Sequence, residues 1–231
     1  MAPLPDVPPA ICRPAAPAPK AKTDTGAVTQ ARQGALARFG DTLYYRAGDD
    51  LFALPVRYAL APPEPALLGC VIRSRESTFA FPLSDVSAAM AATAGLPGQP
   101  PPRDAGLPAA GDPIIRVTAF HLGPHPDFKG MTATISSVRN PERRQGFLHD
   151  LERFPADGGD YLVRISEDRG VLARLPATPE TPDAVARLWF QTPLWSAAVE
   201  IPAETVARWD TVYAAIDAFV AKYTVKGYFK K

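Results

Sequence analysis

Three histidines, His121, His125 and His149, are the side chains best suited to hold a metal. His121 and His125 are spaced i, i+4, which on a helix would set two imidazoles on one face, with Asp127 or His149 completing a site. The stretch reads His121-Leu-Gly-Pro-His-Pro126, however, and its glycine and prolines break the helix that the spacing needs. A metal-dependent hydrolase using His121 and His125 is therefore the alternative reading. No Gly-x-Ser-x-Gly elbow, Walker loop or dinucleotide fingerprint occurs. Cys70 has no histidine near it in sequence, and Asp49, Asp50, Glu167 and Asp168 fall in turns, where short polar residues serve the backbone. No catalytic residue, no cofactor and no enzyme activity is expected.

Binding chemistry is better represented. Asn140-Pro-Glu-Arg-Arg144 reads as a charged turn beside two strands, so Glu142, Arg143 and Arg144 are candidates to steer a protein partner. Arg187, Phe190 and Trp195 are candidate anchors, because arginine and aromatic side chains are enriched in protein interfaces. A competing reading puts Trp189 and Trp195 against a helix, inside the core. The formal charge is +1, from 25 basic and 24 acidic side chains, which lacks the basic excess of a nucleic-acid binder. No apolar run approaches the ~18–20 residues of a membrane helix. The first residues, Met-Ala-Pro-Leu-Pro-Asp, lack a basic and apolar secretory signal, which fits a cytoplasmic protein or a mature segment. The two cysteines are read as a buried thiol at Cys70 and an incidental one at Cys12 ahead of a disulfide, which stays open.

The elements that must position these residues follow from periodicity and punctuation. Prolines number 27 in 231 residues, and seven lie in the first 19, so residues 1–40 are expected to be a disordered proline-rich arm and linker. Residues 42–46 and 51–54 flank Gly48-Asp-Asp50 as a β-hairpin. Residues 67–73 and 78–81 read as a second strand pair, ended by Pro82, with Ser84 capping a helix over 85–94. After a proline-rich excursion, 114–120 and 131–138 read as a central strand pair and 145–153 as a short helix. Residues 161–165 and 171–175 form the next hairpin, followed by strands 185–191 and 194–201. Beyond Pro202, Val206, Trp209, Tyr213, Ile216, Val220 and Tyr223 recur at steps of three and four, one face of a long amphipathic helix.

The two halves share an order. Leu54-Pro55 lies 121 residues before Leu175-Pro176, and Pro82 and Val86 lie 120 before Pro202 and Val206. The expected fold is therefore α+β: two related antiparallel ββββα units, an internal pseudo-duplication, with helices on one face of the sheet. The domains are then an arm (1–40), a first unit (41–95), the excursion with its central strand pair (96–158) and a second unit (159–231).

The run Arg187-Leu-Trp-Phe-Gln, the stretch Ile201-Pro-Ala-Glu-Thr-Val-Ala-Arg-Trp-Asp and the later Ala218-Phe-Val resemble the end of proteobacterial immunity-type proteins, and Thr78-Phe-Ala-Phe-Pro82 resembles their first-half strand. Those proteins are associated with type VI secretion toxins. The resemblance implies a non-catalytic module that binds and inhibits a secreted toxin in the periplasm. It assigns no contact residue.

Overall fold

A computed structural model describes residues 42–61, 63, 67, 70–72, 76–84, 112–123, 135–167 and 169–230. The first strands are β1 (Thr42–Ala47), β2 (Asp50–Pro55), β3 (Val71–Ile72), β4 (Ser77–Pro82), β5 (Ile114–Leu122) and β6 (Phe147–Leu148). Then come β7 (Leu151–Ala156), β8 (Gly159–Ile165), β9 (Gly170–Pro176), β10 (Val185–Gln191), β11 (Trp195–Pro202), helix α1 (Trp209–Tyr223) and β12 (Thr224–Val225). The chain divides into two compact units: residues up to Ser77 together with Tyr223–Lys231, and Thr78–Lys222. These divisions differ from the expected boundaries, because the C-terminal residues contribute a strand to the first unit. The expectations for the arm and for residues 85–111 lie outside the described residues.

In the smaller unit the sheet order is β12-β2-β1-β3. β1 and β2 form the expected hairpin, closed by Gly48 at φ 63°, a conformation that costs glycine nothing. β3 runs parallel to β1, with Val71 opposite Tyr44, and β12 runs antiparallel to β2. Tyr44, Leu51 and Val71 form the buried cluster, against which Val225, Tyr228 and Phe229 pack. The C-terminal turn is held by the Gly227 amide donating to Asp50 Oδ1 at 2.7 Å and the Phe229 amide donating to the Asp49 carbonyl. Burial raises the Tyr44 and Tyr45 hydroxyls above their ordinary range. Tyr58 is pushed further up, by burial first and by neighbouring Tyr223 next. Cys70 is disulfide-bonded, which overturns the free-thiol expectation; the chain's other cysteine, Cys12, lies outside the described residues.

The larger unit is an eight-stranded sheet of order β4-β5-β11-β10-β9-β8-β7-β6. β6 to β11 are six successive strands in a meander, each pairing antiparallel with the next. Strict alternation along β11 sends Trp195, Ala197, Val199 and Ile201 to one face, and register carries that face through Leu188, Phe190, Val171 and Leu162. Gly159 is required at the start of β8, where a Cβ would run into the Leu175 carbonyl. Pro202 ends β11, and Ala203–Arg208 forms 3-10 turns that lead directly into α1. Val206, Trp209, Ile216 and Val220 are buried as the periodicity requires, and Val212, Ala215 and Phe219 widen the same face. Phe219 stacks on Phe81 and Phe79, with ring centroids 4.5 and 4.9 Å away. Trp195 packs on Tyr213 at 5.3 Å and donates its indole N–H to Asp217 Oδ1 at 2.8 Å. Fully burying each such large apolar side chain stabilises the fold by about 1.5–3 kcal/mol.

The paired ββββα units are not what the sheets show. Strands expected over 67–73 and 78–81 join different sheets: β3 is parallel to β1, whereas β4 lies beside β5. Their counterparts β10 and β11 are antiparallel neighbours, so similar spacing hides different pairing. β5 is no insertion but an integral strand between β4 and β11, and residues 135–138 are helical rather than extended. Ser84 already lies in the first helical residues, and its amide and hydroxyl bond Asp112 instead of capping. Helical segments also cover both faces of the large sheet. Opposite α1, Ile135 is buried with Phe154, Val163 and Leu172, and Val138, Tyr161 and Trp189 flank it. Trp189 therefore faces away from α1, contrary to expectation. Finally, 145–153 is not a helix but the β6–β7 hairpin, turned by His149 and Asp150 at φ 54° and 62°.

Candidate functional site: an arginine–phenylalanine surface on the outer hairpin

Residues 135–148 build one exposed surface on the outer end of the large sheet. Ile135 anchors its start in the second core. Four residues later Arg139 grips the sheet, its Nε and Nη2 donating to the two Glu152 oxygens at 2.7 and 2.8 Å. Hydrogen bonding to Glu152 raises the Arg139 pKa, as a fork-to-fork pair should. Asn140 caps the following 3-10 turn, Pro141–Arg143, by accepting from the Glu142 amide at 3.0 Å. Gly146, at φ 78°, then turns the chain into β6. The β6–β7 turn is pinned from α1, where the Trp209 indole donates to the His149 carbonyl at 3.0 Å.

This framework presents Glu142, Arg143 and Arg144 as exposed side chains. Beside them stands Phe147, 66% exposed, with the Arg144 guanidinium 5.7 Å from its ring centroid. Arg144 also approaches Glu152 Oε1 at 4.0 Å, so two arginines share one carboxylate. A cleft of about 480 Å³ lies between Phe147 and Ile165, the latter 47% exposed, with Arg139, Glu152 and Asp150 on its walls. The expected charged turn is present, but Phe147 was missed. Its signal was a bulky aromatic between Gly146 and a His149-Asp150 turn, masked because neither turn residue is glycine.

The other candidate residues fall elsewhere. Arg187 is exposed on the face opposite α1, its Nε donating to Glu200 Oε1 at 3.1 Å across the β10–β11 pair. Phe190 and Trp195 are 1% and 2% exposed in the core under α1. They are corrected as contact residues: strand alternation turns both inward, where no partner reaches them. The metal reading does not converge. His121 sits on β5 and His149 in the β6–β7 turn, so five strand spacings of ~4.8 Å, about 24 Å, separate their strands. His125 and Asp127 lie outside the described residues, and among the described residues no three metal-ligating side chains gather. Glu167 flanks the β8–β9 turn, as its turn assignment requires, whereas Asp168 is not among the described residues. No helix among the described residues is long and apolar enough to cross a membrane.

No protein-family model matches the chain, and no curated protein matches it. Among solved structures it is similar to an immunity protein of the Stenotrophomonas maltophilia type IV secretion system. The identity is 10% and the TM-score 0.46, over 80% of this chain and 94% of that one. That protein's system is type IV, so the type VI association gains nothing from the similarity.

Proposed function

We propose that this chain is a non-catalytic protein-binding module of the immunity type, which holds and inhibits a secreted bacterial toxin. One observation carries the binding role: Phe147 stands 66% exposed beside Arg144 on a hairpin fixed from both sides. An exposed phenylalanine flanked by arginine is the composition of an interface anchor, and a rigid scaffold lowers the entropy lost on association. The immunity assignment rests on the resemblance of the 187–220 region to immunity-type proteins. A periplasmic site of action is part of the proposal, and the disulfide at Cys70 supports it, because such bonds persist in oxidising compartments.

The test is co-expression with any toxin encoded beside this protein's gene. The proposal expects restored growth and a stoichiometric complex from the purified pair. A toxin that binds nothing and kills undiminished would remove the immunity role.

A further inference from the structure

The surface at Pro141–Phe147 also constrains what it can bind, and this step rests on the binding role proposed above. Its arginines are unevenly paired. Arg139 engages both oxygens of Glu152, which leaves Arg144 only a 4.0 Å share of the same carboxylate. Arg143 has no acidic partner among the described residues, and Glu142 is the one further carboxylate on the turn. Beside Arg143 and Arg144 lies the cleft between exposed Phe147 and Ile165, whose walls carry Asp150 and Glu152 as well as Arg139 and Arg164. Among the described residues β6 is the outermost strand of its sheet, the kind of edge along which an extended chain can pair.

We infer that the occupant is an extended protein segment carrying an apolar side chain beside a carboxylate: the apolar group enters the cleft against Phe147, and the carboxylate completes Arg144. The chemistry selects both halves. An apolar segment alone leaves Arg144 underpaired, and an acidic one alone leaves Phe147 wet. A second copy of this chain is disfavoured, because a two-fold contact through the patch would face Arg143 and Arg144 with their own kind.

The probes are extended synthetic peptides of alternating leucine and glutamate, leucine and lysine, or serine and glutamate, followed by fluorescence anisotropy at low salt. The leucine–glutamate peptide should bind roughly tenfold or more tightly than either control, and Arg144→Glu and Phe147→Ser should each weaken it by about tenfold. Both side chains are exposed, so both variants should keep the wild-type melting temperature. Equal binding of all peptides, no binding of the leucine–glutamate peptide, or undiminished binding by the variants would overturn the inference. A wild-type dimer in sedimentation that Phe147→Ser dissolves would also overturn it, by assigning the patch to self-association. Growth rescue without the peptide preference leaves the immunity role standing and removes this inference alone. Peptide preference without rescue does the reverse.

Discussion

The small sheet gathers its strands from residues 42–55, 71–72 and 224–225, whereas the large sheet runs six successive strands as a meander. In the meander each strand pairs with its neighbour in sequence, so local turns fix most of the register. In the small sheet, β3 and β12 contribute two residues each and arrive from distant parts of the chain. Such short strands supply few ladder hydrogen bonds; beside the buried cluster of Tyr44, Leu51 and Val71 the small sheet has the C-terminal turn at Asp49 and Asp50, and Cys70 next to β3 is disulfide-bonded. One unit is secured by packing along successive strands, the other by a buried cluster supplemented by ties between distant residues.

The largest predicted effect tests the packed unit. Trp209→Ala removes a 5%-exposed indole and its bond to the His149 carbonyl, and should cost about 3–5 kcal/mol in urea unfolding. Amide exchange should accelerate over β7–β11 more than over β1 and β2; a loss below about 0.5 kcal/mol would mean the helix contributes no core.

The tied unit is tested next. Cys70→Ser, or reductant on the wild type, should cost about 2–4 kcal/mol, with the faster exchange now in β1 and β2. If the reduced and oxidised proteins unfold at the same denaturant concentration, the disulfide does not secure the small sheet.

A smaller effect is alkaline. The folded state raises the Tyr58 pKa, by burial and then by Tyr223, so it favours the neutral phenol. Free tyrosine ionises near pH 10, so this stability is complete below about pH 10 and is lost as pH climbs toward the folded value. Phenolate absorbance should therefore rise together with loss of the small sheet, and Tyr58→Phe should flatten that dependence. An identical alkaline profile for wild type and variant would contradict the assignment.

What could be read from the sequence follows the same division. β8 to β11 and α1 were legible because alternation and a three-four repeat write burial directly into residue order, as Trp195 to Ile201 and Val206 to Val220 show. β12 was not, because a two-residue strand has no period; β3 falls within the expected strand 67–73, but nothing local states that Val71 runs parallel to Tyr44. Equal proline spacing imitated a duplication that strand pairing does not share. At the candidate site, Glu142 to Arg144 were legible as a charged turn. Phe147 was hidden by a left-handed His149-Asp150 turn; Phe190 and Trp195 were offered as anchors on residue type, although alternation along β11 and the competing core reading already turned Trp195 inward.

The smallest predicted effect links stability to the site. Arg139 is 45% exposed, so Arg139→Ala should cost only about 0.5–1 kcal/mol globally. It should nevertheless speed exchange over residues 141–148, because the fork to Glu152 holds that turn. Unchanged local exchange would mean that Ile135 packing alone fixes the surface.

The most direct measurement of the central claim is amide exchange on the complex with whichever toxin the co-expression test identifies. Protection should concentrate on residues 139–148 and on Ile165, with α1 unchanged because its buried face is already shielded. Protection confined to β1 and β2, or to strand residues around the Arg187–Glu200 pair, would place the partner elsewhere and contradict the account.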